Sequence, residues 1–291
     1  MKRFALLAVL FAVAACGSFG VAQPHTLSLA YKAGDTYNYK IHVSSKQTAT
    51  MSVMSIPITL DLTAKETVSV KSVDSAGVAD LSVSLSQLTM KTVTNGVTNT
   101  TTGIPTSTVD VKVKPDGTMV SADGTDLTGG GGPLTAFSGI GGGFFVTAVL
   151  PDHAVKVGDK WSKTYDQAFT SAGGKMHVVS DSTYLRDETV NNVSAAVVET
   201  KSTGTIDFSE SPLTSGAAAP SFTLTGNFTT DVTTWIDPNG HRVVKSHALA
   251  HDAVTINVPT MSGPGPVEPN MPAMSGPLTA TGDSTTDLNP A

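Results

Sequence analysis

Charge is scarce in this 291-residue chain: Asp, Glu, Lys and Arg make up only 14% of it, against about a quarter in an ordinary soluble domain. The 18 Lys and Arg are scattered and form no basic cluster. Gripping nucleic acid or an anionic membrane surface needs concentrated Lys and Arg, so the sequence argues against both as partners. Ser, Thr, Gly and Asn supply the polarity instead, and the formal net charge is −6. Cysteine is nearly absent, since Cys16 is the single one. No disulfide can therefore staple the part that follows it, and a chain this long buries enough core to do without. After the first two dozen residues there is no long apolar run, so no later segment has the roughly 20 apolar residues of a membrane-spanning helix. Helical periodicity is also missing. Its nearest approach is Pro133 to Leu150, where Leu134, Phe137, Ile140 and Phe144 are three or four apart. Gly141-Gly142-Gly143 interrupts that spacing, and each Gly costs about 1 kcal/mol against Ala in a helix. The stretch reads as an apolar, Gly-rich connector with at most one short helix.

What is present begins with an address. Met1-Lys2-Arg3 is a basic start, Phe4 to Ala15 an unbroken apolar run, and Val13-Ala14-Ala15-Cys16 closes it. This is the layout of a bacterial export signal, too short to span a bilayer. Two processing routes compete. A lipoprotein peptidase would cut before Cys16, whose sulfur would then carry a diacylglyceryl group. Ordinary signal peptidase would cut after Ala22, because Gly20-Val21-Ala22 is a small-x-small site. The first predicts a lipid anchor in the cell envelope, the second a soluble periplasmic or secreted protein. An exported chain without disulfides is consistent, since an oxidising compartment permits them without requiring them.

Past residue 25 the pattern alternates with period two. Tyr37, Tyr39, Ile41 and Val43 alternate with polar residues, as do Leu81, Val83 and Leu85, and then Val109, Val111 and Val113. Strict alternation marks strands with one face buried and one wet, and the abundant Val and Thr suit a pleated surface. Turn signals divide the runs: Asp74-Ser75-Ala76-Gly77, Asn95-Gly96, Pro115-Asp116-Gly117, Asp123-Gly124 and Asp237-Pro238-Asn239-Gly240. Each offers a fixed or positive φ where the chain reverses. Short strands joined by such turns predict an all-β fold of curved antiparallel sheet or half-barrel, built as meanders.

The chain also repeats itself. Lys32-Ala33-Gly34-Asp35-Thr36-Tyr37 returns as Lys156-Val157-Gly158-Asp159-Lys160-Trp161, and Lys114-Pro115-Asp116-Gly117 as Asp237-Pro238-Asn239-Gly240, at nearly the same offset. Gly-Asp-x-aromatic reads as a strand opener: Gly for the left-handed turn position, Asp for the turn amides, the aromatic as inward anchor. A first β repeat over 26–125, a connector over 126–150 and a second β repeat over 151–290 follow an export signal over 1–22. In the second repeat the Pro-, Gly- and Met-rich stretch 259–277 reads as a long loop. The Thr-rich stretch 278–288 echoes 223–232 and reads as a final strand.

Candidate chemistry is sparse. His247 and His251 share one face, but on a strand they stand about 13 Å apart, too far to chelate one ion. Asp116, Asp123 and Asp126 lack the alternating acids and closing Glu of a calcium loop, and read as turn caps. The glycines at 129–132 and 139–143 have neither the Gly-Lys-Ser/Thr of a P-loop nor a strand-to-helix setting. No Gly-x-Ser-x-Gly elbow appears. No catalytic residue, metal ligand or cofactor is therefore assigned, and Cys16, as a lipidation site, is the single residue given a chemical role. Trp161 and Trp235 read as structural aromatics.

With Lys-x-Gly-Asp-x-aromatic openers and the stretch Leu150-Pro151-Asp152-His153-Ala154-Val155-Lys156-Val157-Gly158-Asp159-Lys160-Trp161, the chain resembles an uncharacterised group of bacterial exported proteins, many of them lipoproteins. The resemblance spans most of 30–260 and carries no assigned activity. The architecture is also similar to the half-barrels of lipoprotein and lipid carriers of the bacterial envelope, a fold-level analogy. Export, the strand content and an apolar connector (Phe137, Ile140, Phe144, Phe145) suited to covering such a face point to a non-enzymatic envelope protein binding an apolar small molecule or lipid on the concave face of a curved β-sheet. The alternatives are a structural or protein-interaction module with a packed core, and an unrecognised hydrolase.

Overall fold

A computed structural model describes residues 24–51, 54–104, 107–123, 147–169, 174–208, 223–257 and 277–291. Twelve strands run through them: β1 (Thr36–Met51), β2 (Met54–Val73), β3 (Ala79–Thr94), β4 (Val97–Thr102), β5 (Ser107–Val113), β6 (Met119–Asp123), β7 (Lys160–Phe169), β8 (Gly174–Val190), β9 (Val193–Phe208), β10 (Thr223–Asp237), β11 (Arg242–Asn257) and β12 (Leu278–Pro290). All twelve belong to one sheet, in the order β2-β1-β12-β11-β10-β9-β8-β7-β6-β5-β3-β4, and β2 also pairs with β3. The fold is the all-β, curved antiparallel sheet expected, and that last pairing carries its curvature on into a ring of eleven strands, nearly closed, with β4 outside it. The two halves share this one sheet rather than forming separate lobes. The stretch read as a final strand is β12, which lies antiparallel between β11 and β1.

Every pairing in the ring is antiparallel except one. β6 and β7 run parallel and meet at a single residue pair, Ser121 with Ala168. β11 and β1 also run parallel to each other, but there β12 is inserted between them and pairs antiparallel with both. The β6/β7 seam is instead tied by side chains. Lys163 Nζ lies 2.9 Å from Asp116 Oδ2, and Gln167 Nε2 donates to the Met119 sulfur at 3.1 Å.

The turns obey the local chemistry of their residues. Asn95-Gly96 closes the β3–β4 hairpin with φ of 52° and 78°, the left-handed pair that suits a two-residue hairpin. Asp74 accepts the amides of Ala76 and Val78 through Oδ1. The two Gly-Asp openers are structural copies. Gly34 and Gly158 have φ of 91° and 94°. In the first turn the amides of Gly34, Asp35 and Val70 donate to the carbonyls of Val70, Lys32 and Asp35; in the second those of Gly158, Asp159 and Tyr184 donate to the carbonyls of Tyr184, Lys156 and Asp159.

Inside the ring, apolar side chains form one large cluster, from Ile41, Val68, Leu81 and Val111 to Val198, Ile236 and Ile256, with Val232 and Ala248 as a small separate pair. The end bearing the Gly-Asp turns is closed by two extended segments. Leu27 and Leu29 enter from 24–31, which is bonded through His25 to Val155, Leu29 to Pro115 and Ala30 to His241. Ala148, Val149 and Leu150, the described end of the Gly-rich connector, are buried. Inward hydroxyls hold this second segment: the amides of Ala148 and Val149 donate to Thr234 and Thr200, and the Val149 carbonyl accepts from Ser182 and the Trp161 indole. Burying a backbone amide demands such a partner, which explains polar residues on an otherwise apolar face.

Candidate functional site

The wall formed by β8 to β12 has unusually small inward side chains. Ser180, Ser202, Thr230, Ala250, Ser284 and Ser45 follow one another across six strands in continuous register. Gly204, Gly226 and Gly282 occupy inward positions beside them, and a Cβ at Gly204 would meet the Phe228 ring at 2.4 Å. The outer surface of this wall is dished. Two adjoining concavities of about 560 and 640 Å3 lie along the outer faces of β8 to β12 and β9 to β12.

The first is centred on two exposed apolar side chains, Val179 at 41% and Leu249 at 49%. Charged pairs rim it: Lys201 bridges Asp231 and Glu199, and His251 Nδ1 lies 2.9 Å from Asp283 Oδ1. The second is floored by Thr205, Thr225, Asn227, Ala253, Thr255, Thr279 and Thr281. The outer face of the ring elsewhere is also polar. His42 pairs with Asp61, His177 with Asp166 and His247 with Asp287.

His247 and His251 thus stand on the outer face of β11, each against its own Asp of β12 and not sharing a site. Among the described residues no cluster of three or more His, Cys, Asp or Glu side chains could hold a metal ion. Asp116 caps its turn, accepting from the Thr118 amide and hydroxyl. Burial works against its charge, but the bonds from Thr118 and Lys163 outweigh burial and hold the carboxyl below the usual range. Trp161 is the inward anchor of β7, whereas Trp235 lies under Lys245, whose Nζ is 3.9 Å from the ring centroid. Cys16, Asp126, Gly129 to Gly132, Gly139 to Gly143, and Phe137, Ile140, Phe144 and Phe145 lie outside the described residues.

Three polar features were not singled out from the sequence. Glu66 sits on the inner face of β2, 1% exposed, with neither carboxylate oxygen hydrogen-bonded. Burial alone pushes its pKa up to about 8. Asp252 faces inward on β11, its Oδ2 also unpartnered, and burial pushes its pKa up to about 6. Both acids fall in phase with apolar neighbours, Glu66 with Leu62, Ala64 and Val68, Asp252 with Ala248, Ala250 and Val254. That phase was the available signal. The third is a Ser–His contact at the closed end, where His241 Nδ1 lies 3.2 Å from Ser28 Oγ and 3.3 Å from the Ser28 carbonyl. A nitrogen donating to that carbonyl is not free to take the hydroxyl proton. The nearby Asp237 is committed to the amides of Asn239 and Gly240 and to Arg242. The contact clamps the first segment onto the β10–β11 turn.

No helix among the described residues is long and apolar enough to cross a membrane. Neither a protein-family model nor a curated protein matches the chain.

Proposed function

We propose that this chain is a non-enzymatic, exported envelope protein, tethered through an acylated Cys16, that works as a protein-interaction module through the dished outer face of β8 to β12. The observation that carries this reading is the position of the concavity. Among the described residues, the inner face, where a carrier would hold its cargo, carries a buried apolar cluster and is closed at one end by the buried Ala148, Val149 and Leu150. The outer dish is open, wide and threonine-lined, with Val179 and Leu249 at its centre and ion pairs at its rim. A small apolar ligand is held by a pocket that covers most of its surface. A shallow face with an apolar centre and polar rim suits a macromolecular partner. Native mass spectrometry of protein extracted gently from its own envelope, with cross-linking in intact cells, tests this. The expected result is a chain beginning at acylated Cys16, without retained lipid, whose cross-linked species is lost in Leu249→Glu. A chain carrying a tightly held lipid, with cross-links indifferent to Leu249→Glu, would restore the carrier reading.

A further inference from the structure

The ring closes every edge it can, and one strand is left over. Among the described residues β4 pairs only with β3, and each of its six residues is exposed. Its second edge therefore offers backbone N–H and C=O groups along about 20 Å of strand. Natural sheets protect such edges with charge, Pro, bulges or brevity. Val97-Thr98-Asn99-Thr100-Thr101-Thr102 has no Pro, its pairing with β3 is unbroken in register, and it alone among the twelve strands carries no charged side chain. Among the described residues the most exposed large apolar side chains lie at the same end of the ring, Val97 at 61% and Met54 at 60%.

We propose that β4 is a self-association edge, pairing antiparallel with β4 of a second copy of this chain so that the β2-β3-β4 sheet continues across a two-fold axis. The absence of charge selects a second copy over another partner. In two-fold pairing each residue faces a copy of its own strand, so a charge at or near the axis would confront its like. β4 has none to confront. In an antiparallel ladder, directly opposed residues share the orientation of their backbone groups, so the axis must pass through a residue, here Asn99 or Thr100. With the axis at Asn99, Thr98 faces Thr100 and Val97 faces Thr101; with it at Thr100, Asn99 faces Thr101 and Thr98 faces Thr102, and such β-branched and hydroxyl pairs favour cross-strand packing. The edge is separate from the dish on β8 to β12, so the two surfaces can be engaged together.

Sedimentation velocity of the full chain across roughly 1–200 µM, the range in which a modest interface becomes visible, tests the proposal. A reversible monomer–dimer equilibrium is expected. Thr100→Lys puts like charges at the axis or one residue from it while leaving an exposed position exposed, and should weaken association at least about ten-fold. Thr98→Pro should do the same by blocking the edge. Circular dichroism of Thr100→Lys matching the parent would show that the fold persists. Leu249→Glu, on the dish, should leave association unchanged. A monomer at every concentration overturns the proposal. So does a dimer indifferent to both β4 variants, and so does one dissolved by Leu249→Glu alone, which would move self-association to the dish.

Discussion

Tyr39 and Glu66 stand directly opposite each other across β1 and β2, both facing the core, and only one of them is satisfied. The Tyr39 hydroxyl donates to the Val243 carbonyl at 2.9 Å, while the Glu66 carboxyl has no partner. The acid is stable there only when protonated, because an isolated carboxylate in an apolar interior carries a heavy desolvation penalty. Its folded-state pKa, about 8, lies above the ordinary 4.5. The folded protein thus holds this proton more tightly than the unfolded chain. Stability from this group is full below pH 4.5 and falls as pH rises to about 8, by a total on the order of 4 kcal/mol. Urea unfolding at a series of pH values should show that decline. Glu66→Gln should flatten it, and Glu66→Leu should be more stable than the parent at pH 8. A parent curve with no fall between pH 5 and 8 would mean the carboxyl finds a partner.

The twin turns allow a matched pair of substitutions. A Cβ at Gly34 or Gly158 would meet nothing within 4 Å, so alanine is penalised there by the left-handed backbone alone, about 1 kcal/mol at each site. Gly204→Ala differs, because its Cβ would also meet the His177 carbonyl oxygen at 2.7 Å. Thermal unfolding should rank Gly204→Ala well below both turn variants, which should resemble each other.

Thr200 tests the polar lining. Its hydroxyl accepts the Val149 amide at 3.0 Å and contacts Ser182 Oγ at 2.8 Å. Thr200→Val keeps the shape and strands a buried amide, at a cost of about 1–3 kcal/mol. Thr200→Ser retains the acceptor and should cost less, by denaturant titration. Equal losses in the two would assign the residue to packing.

The seam is the weak line of the ring, having among the described residues one bridge and two side-chain ties. Amide hydrogen exchange should be faster in β6 and β7 than in β9, β10 and β11, since local opening follows the least-bonded elements. Lys163→Ala removes one tie and should accelerate β6 further without changing exchange in β10.

Much of this architecture was legible in particular residues. The alternation in β1, β3 and β5 assigned faces before any pairing was known, because a side-chain period of two admits only one register of burial. The repeated Gly-Asp pairs marked equivalent strand starts through local backbone chemistry. Glu66 and Asp252 were legible in principle, as acids in phase with apolar runs, but the phase says nothing about whether a partner waits opposite. His247 and His251 announced themselves as a pair, and strand spacing separated them again.

The sequence by itself determined the all-β character, the turn positions and which side of each strand is wet, because these follow from local backbone preference and side-chain period. Tertiary structure alone decided that β2 meets β3 and so carries the curved sheet on into a ring. It also decided that β12 fills one gap between the halves while β6 and β7 meet directly at the other, that the outer face of β8 to β12 carries two concavities, and that among the described residues β4 pairs only with β3. Those outcomes depend on strand pairings between residues as far apart in the chain as Tyr39 and Pro290 and on how side chains from separate strands pack together. Neither is written in any local stretch of the chain.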